Sequence, residues 1–68
     1  MPSVDSSAIR EIDYDPARER LFVRFVSGAR YVYQDVPAKV GRAFLAAASK
    51  GSYFAAKVRD RYAYRRLD

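Results

Sequence analysis

The chain of 68 residues has no cysteine, no histidine and no tryptophan, and only three glycines and three prolines. Without cysteine there is no disulfide framework. Without cysteine and histidine there is no zinc or iron–sulfur site built on those ligands, and no Cys–His or Ser–His nucleophile pair. A general base would have to be Asp, Glu, Lys or Tyr. Long apolar runs are missing too. The longest, residues 43–48, is six residues, against the roughly 20 that span a bilayer. The first seven residues carry neither a basic segment nor an apolar one, so no leader and a cytoplasmic location are expected. Large aliphatic residues are scarce: eleven of the apolar residues are alanine, and Leu, Ile, Val and Phe together number sixteen. One small domain over residues 1–68 is the expectation, with some tyrosines filling core volume.

What the chain has is tyrosine and positive charge. Six tyrosines and four phenylalanines accompany thirteen Lys and Arg against eight Asp and Glu, a net charge of +5. The charge is uneven. Residues 1–38 hold five bases and six acids, net −1, and residues 39–68 hold eight bases and two acids, net +6. Lys50, Lys57, Arg59, Arg61, Arg65 and Arg66 fall within seventeen residues, interleaved with Tyr53, Tyr62 and Tyr64.

Residues 1–7 are polar and expected to fray. Ile9, Ile12 and Tyr14 predict a strand over residues 8–14, with a bulge because the alternation is imperfect. Asp15 and Pro16 start a turn. Residues 20–26 are rich in strand formers. Ser27-Gly28 signals a hairpin, and residues 29–34 return. Two registers are open. A two-residue loop puts Tyr31 and Tyr33 beside Phe22 and Arg24. A three-residue loop with Gly28 as a left-handed residue puts Tyr31 opposite Val23 and Tyr33 opposite Leu21. The second is favoured, because it gathers the apolar residues on one side. It also sets Arg24 opposite Arg30. In that register Tyr31 and Tyr33 are core residues facing Leu21, Val23 and the following helix.

That helix is expected from an Asp35 cap and Pro37 to about Ser49, with Val40, Phe44 and Ala48 on one face. Gly51 is expected to end it with positive φ, and Ser52 to cap a second helix over residues 52–60 carrying Phe54 and Val58. Residues 62–68 alternate weakly and predict a short extended tail.

Little of this is catalytic. Glu11, Asp13, Asp15 and Glu19 surround a turn and pair with no partner base. The Asp13, Asp15, Glu19 spacing lacks the glycine and the closing glutamate of a calcium loop. Lys50-Gly51-Ser52 lacks the remaining glycine and the strand of a phosphate loop. No catalytic residue, metal or cofactor is expected.

Several signals in order resemble a known family. They are Ser6-Ser7, Tyr14-Asp15, Leu21-Phe22-Val23-Arg24-Phe25, Gly28, Tyr31-Val32-Tyr33 and Val36-Pro37. Ala48-Ser49-Lys50-Gly51-Ser52-Tyr53-Phe54 and Tyr62-Ala63-Tyr64-Arg65-Arg66-Leu67 follow. Over residues 6–67 the chain resembles the KTSC domain, which occurs at the C-terminus of some lysyl-tRNA synthetases and as a small bacterial protein. The family often carries proline where Ala63 stands. The synthetase context implies RNA as a ligand, by analogy of context and not of site.

The expected architecture is α+β: a three-stranded antiparallel sheet, two helices on one face and an extended tail. The expected function is a non-enzymatic nucleic-acid-binding module, for RNA in particular, with no membrane contact. Lys50, Lys57, Arg59, Arg61, Arg65 and Arg66 would hold phosphates on one contiguous basic face, and Tyr62 and Tyr64 would stack on bases. The alternative is a protein–protein interaction module or homodimer that binds no nucleic acid.

Overall fold

The computed structural model describes residues 9–67; the expectation for residues 1–7 lies outside them. A four-stranded antiparallel sheet has strand order β1-β2-β3-β4, with β1 (Ile9–Asp15), β2 (Arg20–Phe25), β3 (Arg30–Tyr33) and β4 (Tyr64–Arg66). Two helices, α1 (Ala38–Ala46) and α2 (Lys50–Lys57), lie between β3 and β4 in the chain. The predicted tail thus becomes the fourth strand. Its pairing with β3 comes from far along the chain, which local alternation over three residues does not reveal.

The β2–β3 hairpin takes the three-residue loop. The Phe25 N–H donates to the Ala29 carbonyl, the Gly28 N–H donates to the Phe25 carbonyl, and Gly28 has φ of 100°. Leu21 pairs with Tyr33 and Val23 with Tyr31, and Arg24 pairs with Arg30. Arg24 finds relief on its other side, where Glu11 lies 3.5 Å away. The expected bulge falls between Ile9 and Glu11.

Strand alternation sorts residues onto two faces. On the helix side two rows cross all four strands: Tyr14, Leu21, Tyr33 and Tyr64, then Ile12, Val23, Tyr31 and Arg66. Leu21 and Val23 at the centre are sealed by Val36, Phe44, Phe54 and Val58. The opposite face carries Asp13, Phe22, Val32 and Arg65 in one row, and among the described residues no helix lies on it.

The helix boundaries differ from expectation. Asp35 does not cap α1: it adopts φ of 58°, turning the chain so that Val36 plunges into the core, and Pro37 is the N-cap residue. Helix α1 stops at Ala46 because Ser49 captures the next N-terminus: its Oγ accepts the Ser52 N–H at 3.3 Å. Capping by Ser49 outcompetes the weak pull of an alanine run. Gly51 is therefore no helix stop. It lies buried in the first turn of α2, and Gly28 is the only glycine with positive φ among the described residues. Gly41 lets α1 press on β1, since a Cβ there would meet three Tyr14 ring atoms at 2.7 to 2.8 Å.

Candidate functional site: an aromatic cleft

Helix α1 lies over the β1 edge of the sheet, and α2 reaches its centre through Phe54. The part of that face towards β4 and the hairpin is left open among the described residues. There a cleft of about 800 Å³ opens between the hairpin, β4 and the end of α2, in the size range of ligand pockets. Its floor is aromatic. Tyr33 is 3% exposed and packs edge-on against Phe54 with ring centroids 5.5 Å apart. Tyr31 is half-buried and meets Phe25 edge-on at 5.6 Å. Tyr64 is 57% exposed and lies 5.5 Å from Tyr31 and 5.4 Å from Tyr33.

Strand register builds this trio. Tyr31 and Tyr33 are two residues apart and so share a face, and Tyr64 is the cross-strand partner of Tyr33. The partner of Tyr31 is Arg66, whose guanidinium carbon sits 5.8 Å from the ring centroid, within cation–π range. Arg59 and Asp60 form the far wall, only 3.9 Å apart and both well exposed, so they remain open to other partners. Burial, followed by the nearby Tyr64 and Tyr31 phenols, pushes the Tyr33 pKa up to about 12. Its hydroxyl therefore stays a neutral donor through the physiological range.

The predicted basic residues do not form one surface. Arg59 and Tyr64 line the cleft, and Arg66 reaches it through Tyr31, over whose ring its guanidinium lies. Lys57, in the last turn of α2, and Arg61, just beyond it, are exposed near that wall in the chain. Lys50 is drawn away: its Nζ donates to the Ala47 carbonyl at 2.7 Å. Tyr62 is partly buried against the core rather than displayed. Arg65 pairs with Val32 and so lies on the opposite face of the sheet from Tyr64 and Arg66. The contiguous face expected of the second helix and the extended tail together fails because the tail pairs as a strand, whose neighbouring residues point apart. Tyr31, Tyr33 and Phe25, read from the sequence as core, form the floor of the cleft as well. The same three-residue loop register carried that information; what it lacked was the fourth strand. The expectation that α1 covers both tyrosines is also corrected, since Phe54 of α2 packs on Tyr33.

The carboxylates near the first turn serve the backbone. Asp13 Oδ1 accepts the Tyr14 N–H at 3.0 Å and Asp15 Oδ1 accepts the Ala17 N–H at 3.1 Å. Chemically, the cleft offers flat rings, phenol hydroxyls, one arginine in its wall, a second over Tyr31, and one carboxylate, which suits a planar, anionic ligand.

A profile of the KTSC domain matches residues 5–62. The chain is 44% identical over 62 residues to a protein of Tsukamurella paurometabola, spanning 91% of this chain and 92% of that one. It is 40% identical over 67 residues to an uncharacterized protein of Stutzerimonas stutzeri, spanning 97% and 94%. The crystal structure of a KTSC domain protein from Yersinia pestis superposes with a TM-score of 0.85 at 33% identity, covering 93% of this chain and 89% of that one. The profile match ends before β4, so Tyr64 and Arg66 lie beyond the matched segment, while floor residues Tyr31 and Tyr33 lie within it. With the profile and the Yersinia pestis structure in agreement, the chain belongs to the KTSC domain family.

Proposed function

We propose that the protein is a non-catalytic module that binds single-stranded nucleic acid, RNA in particular, by stacking unpaired bases in the aromatic cleft. The observation that carries this reading is the joining of Tyr31, Tyr33 and Tyr64 into one open cleft with Arg66 over Tyr31 and Arg59 at its wall. Base stacking on aromatic rings is worth about 1–3 kcal/mol per base, and arginines supply the phosphate contacts. Arg59 and Arg66 bind phosphates at the rim, with Lys57 and Arg61 reaching the strand as it leaves.

Fluorescence anisotropy with short single-stranded RNA, duplex RNA and duplex DNA tests this. Single strands should bind best. With two to four phosphate contacts, log affinity should fall against log salt with a slope of roughly −1.4 to −2.8. Tyr64→Ala and Arg66→Ala should each weaken binding, while Arg65→Ala should leave it almost unchanged. Absence of binding at tens of micromolar protein in low salt refutes the reading and turns the cleft over to a protein partner.

A further inference from the structure

The face of the sheet opposite the cleft has its charges sorted by strand. Its acids, Glu11, Asp13 and Asp15, all stand on β1, which also carries Arg10 in its bulge, and its other bases stand on the other three strands: Arg20 and Arg24 on β2, Arg30 on β3 and Arg65 on β4. The middle row runs Asp13, Phe22, Val32, Arg65: acid, aromatic, aliphatic, base. Among the described residues no helix lies on this face; at its centre Val32 is already covered by its neighbours, at 7% exposure, and Phe22 is half-buried and offers the apolar contact. The Tyr14 N–H holds the Asp13 carboxylate in place at 3.0 Å.

Such a row is complementary to itself when reversed. We propose that a second copy of this chain docks on this face, sheet to sheet, about a two-fold axis parallel to the strands and midway between β2 and β3. That operation sets β1 of one copy over β4 of the other. Asp13 of each copy then meets Arg65 of the other, and Phe22 of each meets Val32 of the other. A two-fold contact repeats each pairing, so the charge pair counts twice. Aligned packing of two sheets permits this approach, about 10 Å apart. The row nearer the hairpin brings Arg24 of one copy towards Arg30 of the other, and Glu11, 3.5 Å from Arg24, offsets part of that repulsion. With about 4.8 Å between strands and 3.4 Å per residue, three such rows cover roughly 400 Å² per copy. A stable interface uses about 800 Å² per partner. The dimer is accordingly weak, and its cleft-bearing faces point outwards, both free to bind.

Sedimentation velocity of nuclease-treated protein, from about 10 µM to 1 mM in low salt, tests this. The expected result is a concentration-dependent monomer–dimer equilibrium. Asp13→Arg alone and Arg65→Asp alone should each weaken it at least about tenfold, since each turns two attractions into repulsions. The double variant, Asp13→Arg with Arg65→Asp, should restore it, and circular dichroism verifies that each variant is folded. A monomer at every concentration overturns the proposal. So does a dimer indifferent to both single changes, or a double variant no better than the singles. If Arg65→Asp abolishes RNA binding in a monomeric protein, the face belongs to nucleic acid and the dimer is again refuted.

Discussion

Gly41 provides the sharpest test of the packing. A Cβ built there would lie 2.7, 2.7 and 2.8 Å from Cδ1, Cγ and Cδ2 of Tyr14. Carbon atoms prefer about 3.5–4.0 Å, so the ring would have to retreat by most of an ångström. It cannot easily do so, because its hydroxyl donates to the Val36 carbonyl at 2.5 Å, tying the far end of the ring to the segment entering α1. Gly41→Ala sets two effects against each other. Replacing glycine inside a helix gains about 0.8–1.0 kcal/mol. Overpacking a filled site costs about 1–3 kcal/mol. The clash wins, leaving a net loss of about 1 kcal/mol, or roughly 4–8 °C of melting temperature in a domain this small. Thermal and urea melts read it directly. The decisive control is the same substitution in a Tyr14→Ala background, measured with a stabilising osmolyte so that the chain stays folded. With the ring gone, only the helix gain remains, and Gly41→Ala should become stabilising by about 1 kcal/mol. A higher melting temperature for Gly41→Ala in the presence of Tyr14 would refute the argument.

Three further outcomes follow from local geometry. Gly28→Ala should cost about 1–2 kcal/mol through its φ of 100° alone, since nothing lies within 4 Å of a Cβ there; an unchanged melting temperature would contradict that backbone. Ser49→Ala should cost about 0.5–2 kcal/mol, as loss of an N-cap does, whereas Ser52→Ala should be close to neutral; equal effects would put the cap elsewhere. Tyr33 has a folded pKa of about 12 against an ordinary value of 10.0, so its contribution is fully present below pH 10 and is lost as pH rises from 10 towards 12. Melting curves across that window should show the loss, and Tyr33→Phe should lessen it; a Tyr33→Phe protein with the same alkaline profile would place the titration on another group.

Much of the fold was legible because its strands announce themselves. Leu21, Val23 and Phe25 alternate with Phe22 and Arg24, and Gly28 marks the hairpin position that takes φ above zero, which fixed the hairpin register and so the face on which Tyr31 and Tyr33 lie. Helix ends were less legible. Ser49 and Ser52 are both good caps three residues apart, and the choice between them depends on Gly51 fitting into the core, a tertiary fact. Asp35 carries every local sign of an N-cap, yet it adopts a left-handed turn because burial of Val36 dictates the direction of the chain there.

The site was harder to read than the fold for a reason of parity. A run such as Tyr64, Arg65, Arg66 places Arg65 and Arg66 close together on one side if it coils, and on opposite sides if it pairs as a strand. Pairing with β3 decides for the strand: Tyr64 goes to Tyr33, Arg66 to Tyr31, and Arg65 to Val32 on the far face. One backbone ladder thereby splits the charge cluster in two. It makes the buried Tyr33 and half-buried Tyr31 the floor of a cleft while they remain part of the core, since Tyr64 extends the aromatic row beyond the reach of α2. It also leaves Arg65 as the basic end of a self-complementary row with Asp13 at the other. The two proposals thus hang on the same three residues but on opposite faces of them, so Arg66→Ala and Arg65→Asp should separate cleanly, one in nucleic-acid affinity and the other in self-association.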